Sequence, residues 1–191
     1  MHDQDSHHER VKETSVVLSP APLLLEHVDL LAQTSVDRPI LDLACGHGHN
    51  GIFLATKGLP VVLADRSEEA LEEAGRLADQ QAVTVRFWQV DLEREGINPF
   101  AEEGYAGIVV FRYLHRPLIP CIKKAVVKGG LLIYETFTVD QPRFGKPHNP
   151  AFLLKPGELR GCFGDWIVLH AFEGIRDDPP RAVAQLVCRK P

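Results

Sequence analysis

Short apolar runs alternate with amphipathic segments from Pro39 onward, and this alternation constrains the fold more than any other feature of the chain. The amphipathic segments carry apolar residues at helical spacing, whereas the apolar runs have the length of buried strands. Strands that alternate with helices form a parallel sheet through right-handed crossovers. The pattern therefore predicts an α/β protein with a doubly wound, mostly parallel sheet, whose strands cover residues 40–44, 60–64, 83–90, 108–111 and 131–136.

The C-terminal stretch departs from this alternation. Residues 166–172 and 182–188 are both predicted to be strands, and only residues 173–181 separate them. A parallel connection needs a crossover of a dozen or more residues, so this segment is too short for one. The two strands are therefore predicted to form an antiparallel hairpin, which brings the sheet to seven strands.

The N-terminal residues 1–18 are predicted to be a polar tail, and residues 19–191 a single domain. Within residues 19–38, a helix is predicted to begin near Pro22, with Leu24 and Leu31 on one face. This helix packs on the edge of the domain or closes over a site. The tail contains His2, His7 and His8, for which metal binding is an alternative to a simple solvated segment.

Composition excludes several classes of protein. Apolar residues make up 45% of the chain and charged residues 25%, which is typical of a globular protein and excludes disorder of the whole chain. No run approaches the roughly 20 apolar residues of a membrane span, and the N-terminus has no apolar core typical of a signal peptide. The net charge of −5 gives no broad footprint for nucleic acid. The four cysteines lack metal-clip spacing and are interpreted as free thiols in the cytoplasm.

A glycine-rich loop between the first strand and the helix that follows it is the strongest local motif. Gly46, Gly48 and Gly51 match G-x-G-x-x-G, and Asp65 ends the next strand. Glycines in such a loop let the backbone approach a nucleotide-like cofactor, and the carboxylate accepts hydrogen bonds from ribose hydroxyls. Together these residues predict a cofactor site.

Asp42 helps to decide which cofactor this is. It directly precedes the loop, where a carboxylate disfavours the pyrophosphate of a nicotinamide dinucleotide and favours the ammonium of a methionine moiety. The C-terminal hairpin also departs from an all-parallel dinucleotide-binding sheet. S-adenosylmethionine is therefore the predicted cofactor, and a nicotinamide-dependent oxidoreductase is a less favoured alternative.

The segment from Asp42 to Gly48 resembles the first motif of the class I S-adenosylmethionine-dependent methyltransferases, with Ala44 where the first glycine is usual. The resemblance runs from about Pro39 to the C-terminus, and residues 129–135 resemble the family's fifth-strand motif. The Cys-Gly-x-Gly-x-Asn-Gly loop is most similar to small tellurite-resistance-type methyltransferases. The resemblance implies a Rossmann-like fold, methyltransferase activity and S-adenosyl-L-methionine as cofactor.

The same resemblance assigns roles to single residues. Asp65 matches the acid that binds the ribose, and Asp91 matches the acid that faces the adenine amino group. Asp65 alternatively caps the next helix, and Arg66 lies either on the adenine face or on the surface. The predicted cofactor-binding residues are Asp42, Ala44, Gly46, Gly48, Asn50, Asp65, Arg66, Asp91, Leu92 and Phe111.

The acceptor site is predicted where the fourth and fifth strands end, because ligands of open α/β sheets lie at the carboxyl ends of the strands. His115 is a candidate general base or, alternatively, a residue at a helix start. Tyr113 and Glu135 are candidates to orient an acceptor. The glycine loop contains two histidines, but the sequence indicates no third or fourth metal ligand beside them, so no metal site is predicted. Residues 140–156 form a lid or a surface loop, with candidate lining residues Arg143, Phe144, Asn149 and Phe152.

The predicted function is methyl transfer from S-adenosylmethionine to a small-molecule acceptor such as a thiol, a metalloid oxyanion or another small nucleophile. The signature of amino-methyltransferases, Asp or Asn followed by Pro-Pro and an aromatic residue, is absent after the fourth strand. A non-catalytic S-adenosylmethionine-binding subunit or sensor is the alternative from another class. Protein or nucleic-acid acceptors stay open, as does the choice between monomer and homodimer.

Overall fold

The computed structural model describes residues 19–34, 37–94, 96 and 98–191, and its strands form one seven-stranded sheet. The predicted tail, with its three histidines, lies outside the described residues. The strands are β1 (Ile40–Leu43), β2 (Val61–Asp65), β3 (Arg86–Gln89), β4 (Tyr105–Phe111), β5 (Val126–Phe137), β6 (Ile167–Asp177) and β7 (Pro180–Arg189). The helices are α1 (Pro22–Ala32), α2 (His49–Thr56), α3 (Glu68–Gln80), α4 (Ile119–Ala125) and α5 (Glu158–Cys162).

The sheet has the order β3-β2-β1-β4-β5-β7-β6. Strands β1 to β5 pair in parallel, whereas β7 pairs antiparallel with both β5 and β6. The strand order reverses between β1 and β4, which is where open α/β sheets form a crevice for ligands. The predicted fold class, a doubly wound Rossmann-like sheet with an antiparallel C-terminal hairpin, is confirmed.

Both faces of the sheet are covered, which explains why β1 and β4 are almost entirely apolar. One buried cluster joins the sheet to α1, α2 and α3, and the other joins it to α4 and α5. Leu23, Leu24 and Leu31 of α1 are fully buried in the first cluster. Helix α1 therefore packs flat on the sheet. Among the described residues, no helix has the length and apolar character that crossing a membrane requires.

By sequence, the adjacent Gly129 and Gly130 indicate the end of α4, just before the predicted strand at residues 131–136. In the structure they lie inside β5, which begins at Val126. Gly129 has a left-handed φ of 76°, and a Cβ on Gly130 would approach the Ala106 carbonyl oxygen to 2.7 Å. The pairing of β4 with β5 shifts register beside this point. The glycine pair thus forms an irregularity within a strand, a position that glycine also favours.

Candidate active site

A cavity of about 490 Å³ opens along the C-terminal ends of the parallel strands. Its walls come from the ends of β1 to β5 and from the segment that joins β5 to α5. The lining residues are Ala44, Asp65, Arg66, Val90, Asp91, Leu92, Glu93, Arg112, Tyr113, Leu114, Phe137, Lys146, Pro147 and Phe152.

The loop between β1 and α2 forms one wall through its backbone conformation. Ala44, Gly46 and Gly48 have left-handed φ values of 54°, 53° and 76°. A Cβ on Gly48 would also lie 2.9 Å from the Cβ of Ala74, so the loop and α3 are in close contact. Ala44 is unusual because residues with a Cβ seldom adopt this conformation, and such strained positions concentrate at functional sites.

Asp42 lies beneath this loop rather than in the cavity wall. Its side chain is 1% exposed, and its Oδ2 accepts a hydrogen bond of 2.8 Å from the Gly51 N–H. Burial raises the pKa of Asp42 to about 7, against the lowering effect of the Gly51 hydrogen bond. The sequence predicted that this carboxylate faces the cofactor, whereas in the structure it holds the start of α2.

The raised pKa of Asp42 predicts that the unfolding free energy falls as pH rises from about 4 to about 7. In that window the folded protein binds the Asp42 proton more tightly than the unfolded chain does, so the slope reaches at most about 1.4 kcal/mol per pH unit. Asp42→Asn keeps an oxygen for the Gly51 N–H and carries no charge, so it should remove this slope. Urea unfolding at pH 5 and pH 7 measures it, with Asp79→Asn, an exposed position, as the control. Equal slopes in the wild type and Asp42→Asn would contradict the prediction.

Asp65 both supports the loop and lines the cavity. Its Oδ2 accepts from the Gly46 N–H at 2.8 Å, and its Oδ1 accepts from the Ser67 N–H at 2.9 Å. Ser67 caps α3, because its hydroxyl accepts from the Ala70 N–H. A carboxylate has about four acceptor positions, so each oxygen retains one for a ligand. The sequence offered ribose binding and capping of the next helix as alternative roles for Asp65, and this geometry is compatible with both.

Comparisons with known proteins agree with this geometry. A protein-family model described as "Methyltransferase domain" matches residues 40–130. Hemagglutinin 1 of Eikenella corrodens is 30% identical over 150 residues, which cover 75% of this chain and 48% of that protein. The probable S-adenosyl-L-methionine-dependent methyltransferase TehB of Haemophilus influenzae is 26% identical over 159 residues, which cover 78% of this chain and 54% of that protein. The crystal structure of TehB from Haemophilus influenzae has the same fold, with a TM-score of 0.67, 22% identity and coverage of 86% of this chain and 62% of that one.

The chain is similar to the class I S-adenosylmethionine-dependent methyltransferases, and residues 40–130 match a methyltransferase-domain model. The predicted similarity to the tellurite-resistance type and the predicted cofactor are confirmed at the level of this family. The chain spans about half the length of the curated relatives it matches.

The cavity brings together five of the ten predicted cofactor-binding residues: Ala44, Asp65, Arg66, Asp91 and Leu92. The other five do not line it. Asp42 is buried beneath the loop, Gly46 and Gly48 shape its backbone, and Phe111 packs against the core. Asn50 instead accepts from the Ala21 N–H at 2.8 Å, which attaches the start of α1 to the loop.

Tyr113 is the one predicted acceptor-site residue that lines the cavity. Its hydroxyl is buried, and among the described residues it has no hydrogen-bond partner. Burial, assisted by the nearby Glu93 and Asp91 carboxylates, raises the pKa of Tyr113 well above its usual range. The hydroxyl is therefore protonated at neutral pH. The Tyr134 hydroxyl donates to the Tyr113 carbonyl oxygen at 3.0 Å and fixes the backbone here.

Glu135 and His115 do not line the cavity. The sequence predicted that β5 ends at Thr136, but the strand runs to Phe137. Glu135 therefore lies two residues, roughly 7 Å, below the strand end. It is 3% exposed and accepts a hydrogen bond from Gln185 on β7. His115 precedes a short 3₁₀ helix that starts at Arg116, and its carbonyl oxygen accepts from the Leu118 N–H.

The segment that joins β5 to α5, residues 138–157, is here called the strap. Thr138 bridges to Leu154 at its base. Gln141 is 4% exposed, accepts from the Ala182 N–H and donates to the Lys146 carbonyl oxygen. The strap is thus fixed against β7 and the sheet end, and it supplies one wall of the cavity.

Arg116 fastens the far end of the strap. Its guanidinium donates to the Ala151 and Leu153 carbonyl oxygens at 2.8 Å and to both carboxylate oxygens of Glu158. The Glu158 carboxylate raises the pKa of Arg116, and the guanidinium lowers that of Glu158. The charge of Arg116 is therefore used within the fold and is not free to attract a substrate.

Of the candidate strap residues, only Phe152 lines the cavity. Arg143 pairs with Asp140, and the Asn149 side chain accepts from the Ala151 N–H, so both serve local turns. The sequence left Arg112 open between a charge that attracts an anionic substrate and a solvated charge, and it assigned no role to six further residues that line the cavity with it: Val90, Glu93, Leu114, Phe137, Lys146 and Pro147. Position at the carboxyl end of a strand was an available signal for Val90, Arg112 and Phe137. In the part of the chain that the structure describes, no group of His, Cys, Asp and Glu side chains could hold a metal ion.

Proposed function

We propose that this chain transfers the methyl group of S-adenosylmethionine to a small nucleophile bound in the same cavity. The observation that carries the proposal is the extent of the cavity, which runs from the end of β3 to the end of β5. In the sheet order, four strand-to-strand steps separate β3 from β5. At about 4.8 Å per step, the cavity therefore spans roughly 19 Å. This length accommodates a nucleoside cofactor and a small acceptor side by side.

The cofactor end lies over β2 and β3. In this proposal Asp65 accepts from the ribose hydroxyls and Asp91 from the adenine amino group, while Val90 and Leu92 cover the adenine ring with apolar surface. When bound, S-adenosylmethionine supplies an activated methyl group that a nucleophile displaces in line. The protein contributes orientation and exclusion of water.

The acceptor is proposed to be a soft nucleophile that ionises without help. Among the described residues that line the cavity there is no histidine and no cysteine. Tyr113, with its raised pKa, donates a hydrogen bond and does not remove a proton. A thiolate or a metalloid oxyanion needs no general base, whereas an alcohol or an ammonium group does. The chemistry of the walls thus supports a soft small-molecule acceptor.

We also propose that the protein is cytoplasmic. The support is its cysteine chemistry, because Cys45, Cys121, Cys162 and Cys188 are all free thiols. Free thiols are typical of reducing compartments.

The experiment that tests the function has a binding step and a turnover step. S-adenosylhomocysteine should raise Tm, as any ligand selective for the folded state does, and NAD should not. Incubation with S-adenosylmethionine and 2-mercaptobenzoate, selenite or tellurite should then release S-adenosylhomocysteine, measured by mass spectrometry. A Tm shift with NAD and none with S-adenosylhomocysteine would contradict the cofactor. Binding without turnover on any acceptor would favour a non-catalytic cofactor-binding subunit.

A further inference from the structure

The two ends of the cavity differ in charge. At the β2 and β3 end, the lining carboxylates are Asp65, Asp91 and Glu93, with Arg66 beside them. On the β4 and β5 side, Arg112 directly follows β4 and Lys146 lies on the strap that follows β5, and both of these lining residues are cationic. A charge difference of this kind orients a ligand that carries an anionic group.

Unlike Arg116 and Arg143, Arg112 and Lys146 have no side-chain partner among the described residues. Arg116 is bound by Glu158, and Arg143 lies 4.0 Å from Asp140. Within the described ranges, neither the Arg112 guanidinium nor the Lys146 ammonium has a side-chain hydrogen bond or ion pair. Two unpaired cations that line one end of a cavity form a natural site for a carboxylate.

The backbone of Arg112 adds a second observation. Its φ is 57°, a left-handed value that is uncommon for a residue with a long side chain. Its N–H donates to the Glu135 carbonyl oxygen at 2.9 Å, so the conformation is held by the end of β5. Residues kept in such conformations cluster at ligand-binding sites.

Aromatic rings form the rest of this end. Tyr113, Phe137 and Phe152 line the cavity, and Phe152 is 45% exposed although it lies on the fixed strap. Flat apolar walls with a few polar groups are typical of sites for small organic ligands. Rings of this kind stack on a planar body.

We propose that the basic aromatic end of the cavity, defined by Arg112, Tyr113, Phe137, Lys146 and Phe152, binds acceptors that combine a flat apolar body with a carboxylate. The inference rests on the proposed function, because it names the substrate class of the same cavity. Arg112 and Lys146 bind the carboxylate, and the rings contact the flat body. The nucleophilic atom of the acceptor is then directed toward the cofactor end.

The test uses 2-naphthoate and its neutral isostere 2-naphthamide as probes, with calorimetry in the presence and absence of S-adenosylhomocysteine. The acid is expected to bind at least tenfold more tightly than the amide. R112Q and K146Q should each weaken 2-naphthoate binding by roughly three- to tenfold, and leave 2-naphthamide and S-adenosylhomocysteine binding unchanged. K155Q, an exposed strap residue outside the cavity, is the matched control and should change nothing.

Three results would overturn the inference. These are equal affinity for acid and amide, unchanged 2-naphthoate binding in R112Q and K146Q, and weaker S-adenosylhomocysteine binding in R112Q, which would assign Arg112 to the cofactor's own carboxylate. Failure of the proposed function is recognised separately, as absence of S-adenosylhomocysteine binding in the wild type. The measurement without S-adenosylhomocysteine then still decides whether this end prefers the carboxylate.

Discussion

Asp65→Ala is expected to weaken the binding of S-adenosylhomocysteine by roughly ten- to more than a hundredfold. Two ribose hydroxyls that donate to a carboxylate contribute about 1.5–3 kcal/mol, and each 1.4 kcal/mol is a factor of ten in Kd. The carboxylate is fixed by the Gly46 and Ser67 N–H groups, so its free acceptor positions are already oriented before the ligand arrives. Calorimetric titration of the wild type and the variant gives the ratio of Kd values.

The same two hydrogen bonds complicate the variant, because Asp65→Ala also loosens the start of α3. Ser67→Ala is the matched control, since it removes the cap on Ala70 and leaves the carboxylate in place. It should lower the unfolding free energy by about 1 kcal/mol with an unchanged Kd. If Ser67→Ala weakens binding as much as Asp65→Ala does, the effect of Asp65→Ala comes from the loosened start of α3 and not from contact with the ribose.

The parts of the site predictable from sequence are those fixed by local chemistry. The loop between β1 and α2 needs glycines for its left-handed backbone, Asp65 is the last residue of β2, and Asp91 lies two residues after β3. Parallel strands bring such residues to one edge without knowledge of packing. Residues 129–130 show the limit, because a glycine that ends a helix and a glycine at a strand irregularity have the same local sequence.

The differences between the predicted and the observed site have two causes: where a strand ends, and which distant residue a side chain binds. Glu135 lies below the carboxyl edge of the sheet because pairing with β7 extends β5 to Phe137. Arg116 is occupied by a carboxylate 42 residues away. Lys146 and Pro147 enter the cavity because Gln141 ties the strap to β7. These contacts join residues that are far apart in the chain, so no local sequence pattern predicts them.

Gly51→Ala is expected to lower the unfolding free energy by about 2–6 kcal/mol. A Cβ at this position would lie 2.2 Å from Cδ2 of Leu63, which is fully buried, and 2.9 Å from Oδ2 of Asp42. Overpacking costs about 1–3 kcal/mol, and loss of a hydrogen bond to the buried carboxylate costs a further 1–3 kcal/mol. Gly161→Ala, where a Cβ meets nothing within 4 Å, should be neutral or slightly stabilising in the same urea titration. Leu63→Val removes the Cδ2 atom, so the double variant should recover part of the loss, even if Gly51→Ala alone does not fold. Equal stability of Gly51→Ala and Gly161→Ala would contradict the tight packing of Gly51 against Leu63 and Asp42 beneath the loop.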